Sequence, residues 1–335
     1  MVRISFQFNS GSGHHFFMKQ NVLIVGGSGQ FGVTLLKKLS KKKNIIITTR
    51  NISNAKKKIF AAKKIIIKKL NILNKTQISD LLLKYRPTII FYFAGQSSPQ
   101  ISFSKRNETI KSNYIGCKNF LEVIYKIKLN TKFLNASSSE IFKPSKLKLN
   151  LNSKKKPISP YGISKLKSFE ITKHYRIFKN LKTYNAIIFN TESIYRNKNY
   201  IIPKICLAAI KAKKKGLKTS FGNINVVREW NWCEEQCKYI LYFINKKPQD
   251  FILSNNRPYS AKQMLDYAFN YFNLDFRKYI ETDKANFRKK DFEIRCSDNK
   301  DIFKKNKINF NYKIYGKKLI RRLLTYYLKK DFLKK

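Results

Sequence analysis

The stretch Val25-Gly26-Gly27-Ser28-Gly29-Gln30-Phe31-Gly32 decides the fold. It follows a short apolar run, Asn21–Val25, and leads into a helical pattern over Gln30–Leu39. Gly26, Gly29 and Gly32 have the spacing of a strand-to-helix turn that cradles phosphate. The first glycine permits the tight turn, the second lets backbone approach a pyrophosphate, and the third lets the helix pack on the strand. Phosphates would then sit at the helix N-terminus, where free N–H groups and the helix dipole favour negative charge. A plain glycine-rich turn has the same composition. Its place after the first strand of an alternating pattern favours the phosphate reading.

That alternation continues outward. Asn44–Thr49, Lys63–Lys68, Pro87–Phe93, Lys132–Ala136 and Tyr184–Phe189 read as strands. Asn107–Lys128 reads as one long helix, Pro160 starts another in the manner of a first-turn proline, and Lys317–Leu328 reads as a basic amphipathic helix. Strand and helix in turn predict an α/β protein with a doubly wound parallel sheet. Past Phe189 the alternation loosens, and no internal repeat or long linker divides the chain.

The 335 residues are 43% hydrophobic and 14% aromatic, enough for a large core. No apolar run reaches the roughly 20 residues of a membrane span, so no membrane partner is expected. Residues 1–17 lack the apolar stretch and cleavage site of a signal peptide. The fold is therefore expected to begin near Met18-Lys19, with residues 1–17 as a disordered extension and a cytoplasmic location by default. The net charge of +52 invites a nucleic-acid reading. Its lysines, however, run along the whole chain, and Lys, Ile, Asn, Phe and Tyr are all abundant while Gly (12) and Pro (8) are scarce. Those five residues share A/T-rich codons, so compositional bias accounts for lysine and isoleucine together; no specific nucleic-acid partner is expected. Five cysteines form no CxxC pair, and Cys233 with Cys237 would need two further ligands to hold zinc. No metal site is expected.

Tyr161-Gly162-Ile163-Ser164-Lys165 places a phenol and an ammonium one helical turn apart, on one face. An ammonium beside a phenol is expected to lower a tyrosine pKa that starts near ~10. The spacing alone is weak, because it recurs from Tyr114, Tyr175, Tyr200, Tyr242 and Tyr326. Position distinguishes Tyr161: it follows Pro160 at a helix start, between two strands, downstream of Ser138-Ser139-Glu140 at a strand end. Ligands bind at the carboxyl ends of parallel strands, so Ser138, Glu140, Tyr161 and Lys165 are expected to face one crevice. A Ser-rich helix-capping turn is the alternative reading of Ser137–Ser139. The second strand ends in Thr48-Thr49-Arg50, where an acid would suit the ribose 2′-hydroxyl of NAD; arginine suits the 2′-phosphate of NADP.

Taken in order, GGSGQFG (26–32), FAGQSSPQISF (93–103), NASSSE (135–140), SPYGISK (159–165), FNTES (189–193) and GNINVVREW (222–230) resemble the extended short-chain dehydrogenase/reductases, and within them the GDP-mannose 4,6-dehydratases. FRKKDFE (287–293) looks like a decayed seventh segment. The resemblance implies a Rossmann NADP-binding domain over 18–189. A smaller C-terminal substrate domain would lie mainly over 190–330, with some chain returning to the first. It implies a cofactor site of Gly26, Gly29, Gln30, Phe31, Gly32, Arg50, Asn71, Ile72, Phe93, Gln96, Ser97, Tyr161, Lys165 and Arg196. The substrate, a nucleotide sugar with GDP-mannose favoured, would meet Ser97, Ser138, Asn190, Lys204, Arg228 and Arg288. Any single basic residue in that set could be compositional. Tyr161 would take the proton of the sugar 4-hydroxyl, Ser138 would hydrogen-bond that oxygen, and Glu140 would remove the C5 proton. A homodimer or homotetramer is implied. Related epimerases carry a small residue in place of Glu140, while UDP-glucuronate decarboxylases can carry glutamate. Another nucleotide-sugar reaction therefore remains an alternative, and from another class so does a non-catalytic RNA-binding scaffold. Asn71, Thr191, Phe142-Lys143, Gly162 and the single Arg50 depart from the family pattern.

Overall fold

A computed structural model describes residues 21–39, 44–59, 65–283, 294–308 and 311–332. Met18-Lys19, the extension at 1–17, Arg288 and the segment 287–293 lie outside them. Six strands follow the predicted order: β1 (Asn21–Val25), β2 (Asn44–Thr49), β3 (Ile65–Lys69), β4 (Ile89–Tyr92), β5 (Lys132–Ser138) and β6 (Lys182–Ile188). With the strand Asp250–Leu253 they form one parallel sheet in the order Asp250–Leu253, β6, β5, β4, β1, β2, β3. These segments are near-continuous apolar runs because helices cover both faces of the sheet. The edge strand β3 differs. Its burial alternates, and it ends in Lys68-Lys69, charges that discourage pairing by another chain.

The order reverses between β1 and β4, so a crevice opens at their carboxyl ends. The glycine turn sits there. Gly26 has φ +82°, and a Cβ on it would lie 2.7 Å from the Ala94 nitrogen. A Cβ on Gly32 would lie 2.5 Å from the backbone of Gly27, which is how the helix Gln30–Lys38 comes so close to its own turn.

One feature departs from the sequence reading. The predicted helix over 107–128 is three pieces: Arg106–Ile110, a π-turn over Lys111–Ile115, and Gly116–Lys126. The widened turn carries Asn113 inward, where its amide donates to the Gln96 carbonyl (3.1 Å) and to Ser164 Oγ (3.0 Å). Gly116 clears room for the Tyr92 hydroxyl, which donates to the Ser112 carbonyl at 3.0 Å. The chain beyond Asn190 serves two cores. Helix Cys233–Phe243 and strand Asp250–Leu253 pack into the core of the parallel sheet. Helices Ile201–Lys215, Ala261–Asn270 and Gly316–Phe332 surround a separate cluster with Trp230 and Trp232. Among the described residues no helix is long and apolar enough to cross a membrane.

Candidate active site

β5 ends at Ser138, and a 3₁₀ turn over Ser139–Ile141 swings Glu140 out of the strand line. The Ser138 hydroxyl accepts from the Glu140 N–H at 3.2 Å, which fixes that swing. Opposite stands the helix Pro160–Phe178, capped by Ser159, whose hydroxyl accepts from the Gly162 N–H at 3.0 Å. A Cβ on Gly162 would lie 2.5 Å from the Glu140 carbonyl. The glycine found there lets the helix start press against the backbone of the Glu140 turn. The Tyr161 N–H donates to Ser102 Oγ at 3.1 Å, and Lys165 Nζ donates to the Ala136 carbonyl at 2.7 Å.

These elements wall a cavity of about 340 Å³ at the strand-order reversal. Ser138, Glu140, Tyr161 and Lys165 all line it, as do Gly29, Gln30, Phe31, Phe93, Ser97, Asn190 and Arg196. The glycine turn and the Tyr161 helix are thus joined by one open space. Gln30 ties the turn to the far wall, accepting from Ser193 Oγ at 3.0 Å, and Phe31 stacks on Phe93 at 5.4 Å.

Other predicted residues are placed differently. Gly26 and Gly32 shape the turn from behind and are not part of the cavity wall. Arg50 is exposed at the end of β2, 3.7 Å from Glu108. Asn71 spends its side-chain oxygen on the Leu73 N–H at 3.0 Å, and Ile72 packs beneath Gly116. Gln96 folds back on Ser98, donating to its carbonyl at 2.7 Å. Lys204 lies 4.8 Å from the centre of the Phe221 ring. Arg228 is buried and donates to the Val227 carbonyl at 2.8 Å, away from the cavity wall. Arg288 lies outside the described residues.

The electrostatics differ from the sequence expectation in one respect. Burial pushes the Tyr161 phenol up to about 12; the Ser138 hydrogen bond and Arg196 pull it down, while Glu140 and Tyr200 push it further up. The Lys165 ammonium is turned to Ala136 and is itself drawn down to about 8 by burial. Glu192, on the cavity wall, is raised to about 7 by burial, with Arg196 opposing at 4.0 Å.

Three participants escaped the sequence reading. Arg295 lies on both oxygens of Glu140. Tyr200 hydrogen-bonds Ser97 at 2.9 Å and carries Arg196 over its ring at 3.5 Å. Glu192 is a second carboxyl in the wall. In a chain with 71 lysines and arginines nothing local marks Arg295, and Glu192 stood within the FNTES segment without an assigned role. Among the described residues no group of three or more His, Cys, Asp or Glu is arranged to hold a metal, and all five cysteines are buried as free thiols.

The turn fits a dinucleotide by shape. Its glycines leave backbone bare where side chains would collide, and Gly29 caps the helix with no side-chain hydrogen bond occupying its N-terminus.

Solved structures with this fold include dTDP-glucose 4,6-dehydratase from Bacillus anthracis in complex with NAD. It has TM-score 0.78 and 19% identity, over 92% of this chain and 97% of that one. UDP-glucose 4-epimerase from Thermotoga maritima with UDP-glucose gives TM-score 0.80 and 18% identity, over 93% and 99%. These likenesses establish the fold alone: a Rossmann-type parallel sheet with a second, smaller core. By sequence, GDP-mannose 4,6 dehydratase 1 of Arabidopsis thaliana is 29% identical over 210 residues, 61% of this chain and 58% of the relative. The human GDP-mannose 4,6 dehydratase is 27% identical over 201 residues, 58% and 54%. The matched region thus spans a little over half the length of these curated relatives. The family model for GDP-mannose 4,6 dehydratase matches residues 23–323, nearly all of the described structure, and this chain belongs to that family.

Proposed function

We propose that this chain is a nucleotide-sugar 4,6-dehydratase, a hydro-lyase that converts GDP-mannose to its 4-keto-6-deoxy product with NADP that is regenerated each cycle. The observation that carries the reading is one cavity wall bearing Ser138, Tyr161, Lys165 and Glu140, continuous with the glycine turn. In this reading Gly29, Gln30, Phe31, Phe93, Lys165 and Arg196 hold the cofactor. Arg50 at the end of β2 meets a ribose 2′-phosphate, which is the reason for preferring NADP over NAD.

When bound, the nicotinamide would supply an acceptor for the C4 hydride and the hydride that returns at C6. Tyr161 takes the proton of the 4-hydroxyl, and Ser138 hydrogen-bonds the same oxygen. Lys165, held on Ala136, keeps a cation on the phenol's side of the cavity. The 4-ketone acidifies the C5 proton, and Glu140 takes it. The C5–H electron pair forms the C5–C6 double bond, and the C6 hydroxyl leaves as water with the proton from Glu140. The proton that Tyr161 took from the 4-hydroxyl is delivered to C5 as hydride returns to C6, so Tyr161 is restored and the net loss is one water. Ser97 and Asn190 line the sugar's side of the cavity. Lys204 and Arg288 are assigned to the diphosphate end; Arg228, buried on the Val227 carbonyl, is assigned no substrate contact. We assign the Rossmann role to 18–189 and most substrate contacts to 190–330. Pairing of two copies is assigned to the face of helix Pro160–Phe178 and the 106–126 segment, where Tyr125, Ile177 and Phe178 are exposed.

The test is incubation of purified protein with GDP-mannose and catalytic NADP, with products read by mass spectrometry. A 4-keto-6-deoxy product is expected. Turnover of a different sugar nucleotide instead would remove GDP-mannose as the substrate, and no turnover of any would remove the dehydratase reading.

A further inference from the structure

Glu140 is paired in a way that its motif does not announce. Arg295, only 2% exposed, places one guanidinium nitrogen on Oε1 and the other on Oε2, the latter at 3.0 Å. The two residues are 155 positions apart, yet both line the same cavity. Arg295 is held in place by backbone on both sides. Its strand, Ile294–Arg295, runs parallel to Val227–Arg228 with Arg295 in register with Arg228. Immediately afterwards, the Cys296 carbonyl accepts from the Leu149 N–H at 2.8 Å, and the Leu149 carbonyl accepts from the Asp298 N–H at 2.7 Å. Ser297 is pinned in turn, its N–H donating to Glu229 at 3.0 Å. The guanidinium is therefore positioned by the fold and is not a surface arginine that happens to reach inward.

The consequence for Glu140 follows from its surroundings. It is nearly buried and faces the Tyr161 phenol, with Lys165 on the same helix. Glu192 and Arg196 stand elsewhere on the cavity wall, and Arg228 stands beside Arg295. A bidentate guanidinium restricts the carboxylate plane, while each oxygen keeps a second lone pair for a proton.

We propose that Arg295 is a positioning residue for Glu140: its fork fixes the plane of the carboxylate and aims the free lone pairs into the cavity. The proposal rests on the dehydratase reading only for the name of the step that Glu140 performs. The pairing itself can be tested without substrate.

The experiment uses full-length protein carrying ¹³C at the glutamate carboxyls. The Glu140 resonance is identified by its absence from Glu140→Gln. In Arg295→Met that resonance is expected to move and broaden as the carboxylate loses its fixed plane. Arg295→Lys, which keeps a cation but loses the fork, is expected to behave alike, and it carries the test if Arg295→Met does not fold. An unchanged resonance in both variants overturns the proposal. With a turned-over sugar nucleotide, C5 deuterium exchange and kcat should fall by up to about 10²-fold while nicotinamide reduction and KM stay within a few-fold. Equal loss of reduction and exchange would mean a merely structural arginine and would also overturn it. A changed resonance in a protein that turns over no sugar nucleotide upholds the pairing and removes the dehydratase reading instead.

Discussion

Glu140→Gln separates the two halves of the proposed reaction, because the groups around Glu140 divide cleanly between them. The 4-hydroxyl chemistry belongs to Tyr161 and Ser138, with Lys165 bound to the Ala136 carbonyl at 2.7 Å. None of these contacts passes through the Glu140 carboxylate. Glutamine keeps the size and one oxygen acceptor, so one of the two bonds from Arg295 can persist. It loses the negative charge that faces a guanidinium only 2% exposed. Losing one charge-assisted hydrogen bond costs about 1.5–3 kcal/mol, visible as a Tm lower by several degrees. Catalytically, a missing general base lowers the step it serves by roughly 10²–10⁴-fold. The oxidation step should not slow, because the Glu140 charge is one of the influences that hold the Tyr161 phenol up. Single-turnover reactions in deuterated water resolve the halves. Nicotinamide absorbance reports oxidation at C4, deuterium at C5 reports proton removal, and mass reports loss of water. Reduced nicotinamide should accumulate without C5 exchange or dehydration. Dehydration at the wild-type rate would refute the reasoning. So would loss of nicotinamide reduction in a folded variant, since that would place Glu140 in the hydride step.

Tyr161→Phe should nearly abolish nicotinamide reduction while leaving dinucleotide binding, measured by fluorescence titration, within a few-fold; substantial turnover would remove Tyr161 as the base. Gly32→Ala should destabilise by about 1–3 kcal/mol, because the new Cβ meets Gly27 backbone at 2.5 Å and no flexible side chain can give way. A thermal midpoint equal to wild type would contradict that packing. Glu192 gives a pH signature: burial raises its folded pKa from 4.5 to about 7. Between those values the unfolded chain has released a proton that the folded one retains, so this group lowers stability as pH rises through that window, by up to about 3 kcal/mol. Glu192→Gln should therefore be more stable than wild type above pH 7, with the difference shrinking toward pH 4.5 in denaturant titrations. A pH-independent difference would count against the burial argument.

The comparison of sequence with structure turns on the range over which each feature is determined. Six of the sheet's seven strands and the glycine turn were legible because each is encoded within a few consecutive residues. Ile-rich runs make strands when both faces are covered, and glycines recur where side chains would collide with neighbouring backbone. Ser138, Tyr161 and Lys165 were legible for a related reason: each occupies a strand end or a helix start, and parallel-sheet topology sends those positions to one crevice. The π-turn at Lys111–Ile115 was not legible. It is set by Asn113 reaching Gln96 and Ser164, partners supplied by other elements.

The sequence by itself determined that this chain is a doubly wound α/β protein with a phosphate-cradling turn and a tyrosine, a lysine, a serine and a glutamate on a shared face. Only the tertiary structure decided how those groups are held. It turned Lys165 toward Ala136, kept Arg228 and Lys204 off the cavity wall, and brought Arg295 onto Glu140 across 155 residues. The physical reason is one of range. Strand, turn and cap preferences act over a few residues, whereas the partner of a buried charge is chosen by whichever element packs against it. In a chain with so many basic residues, composition could not say which one that would be.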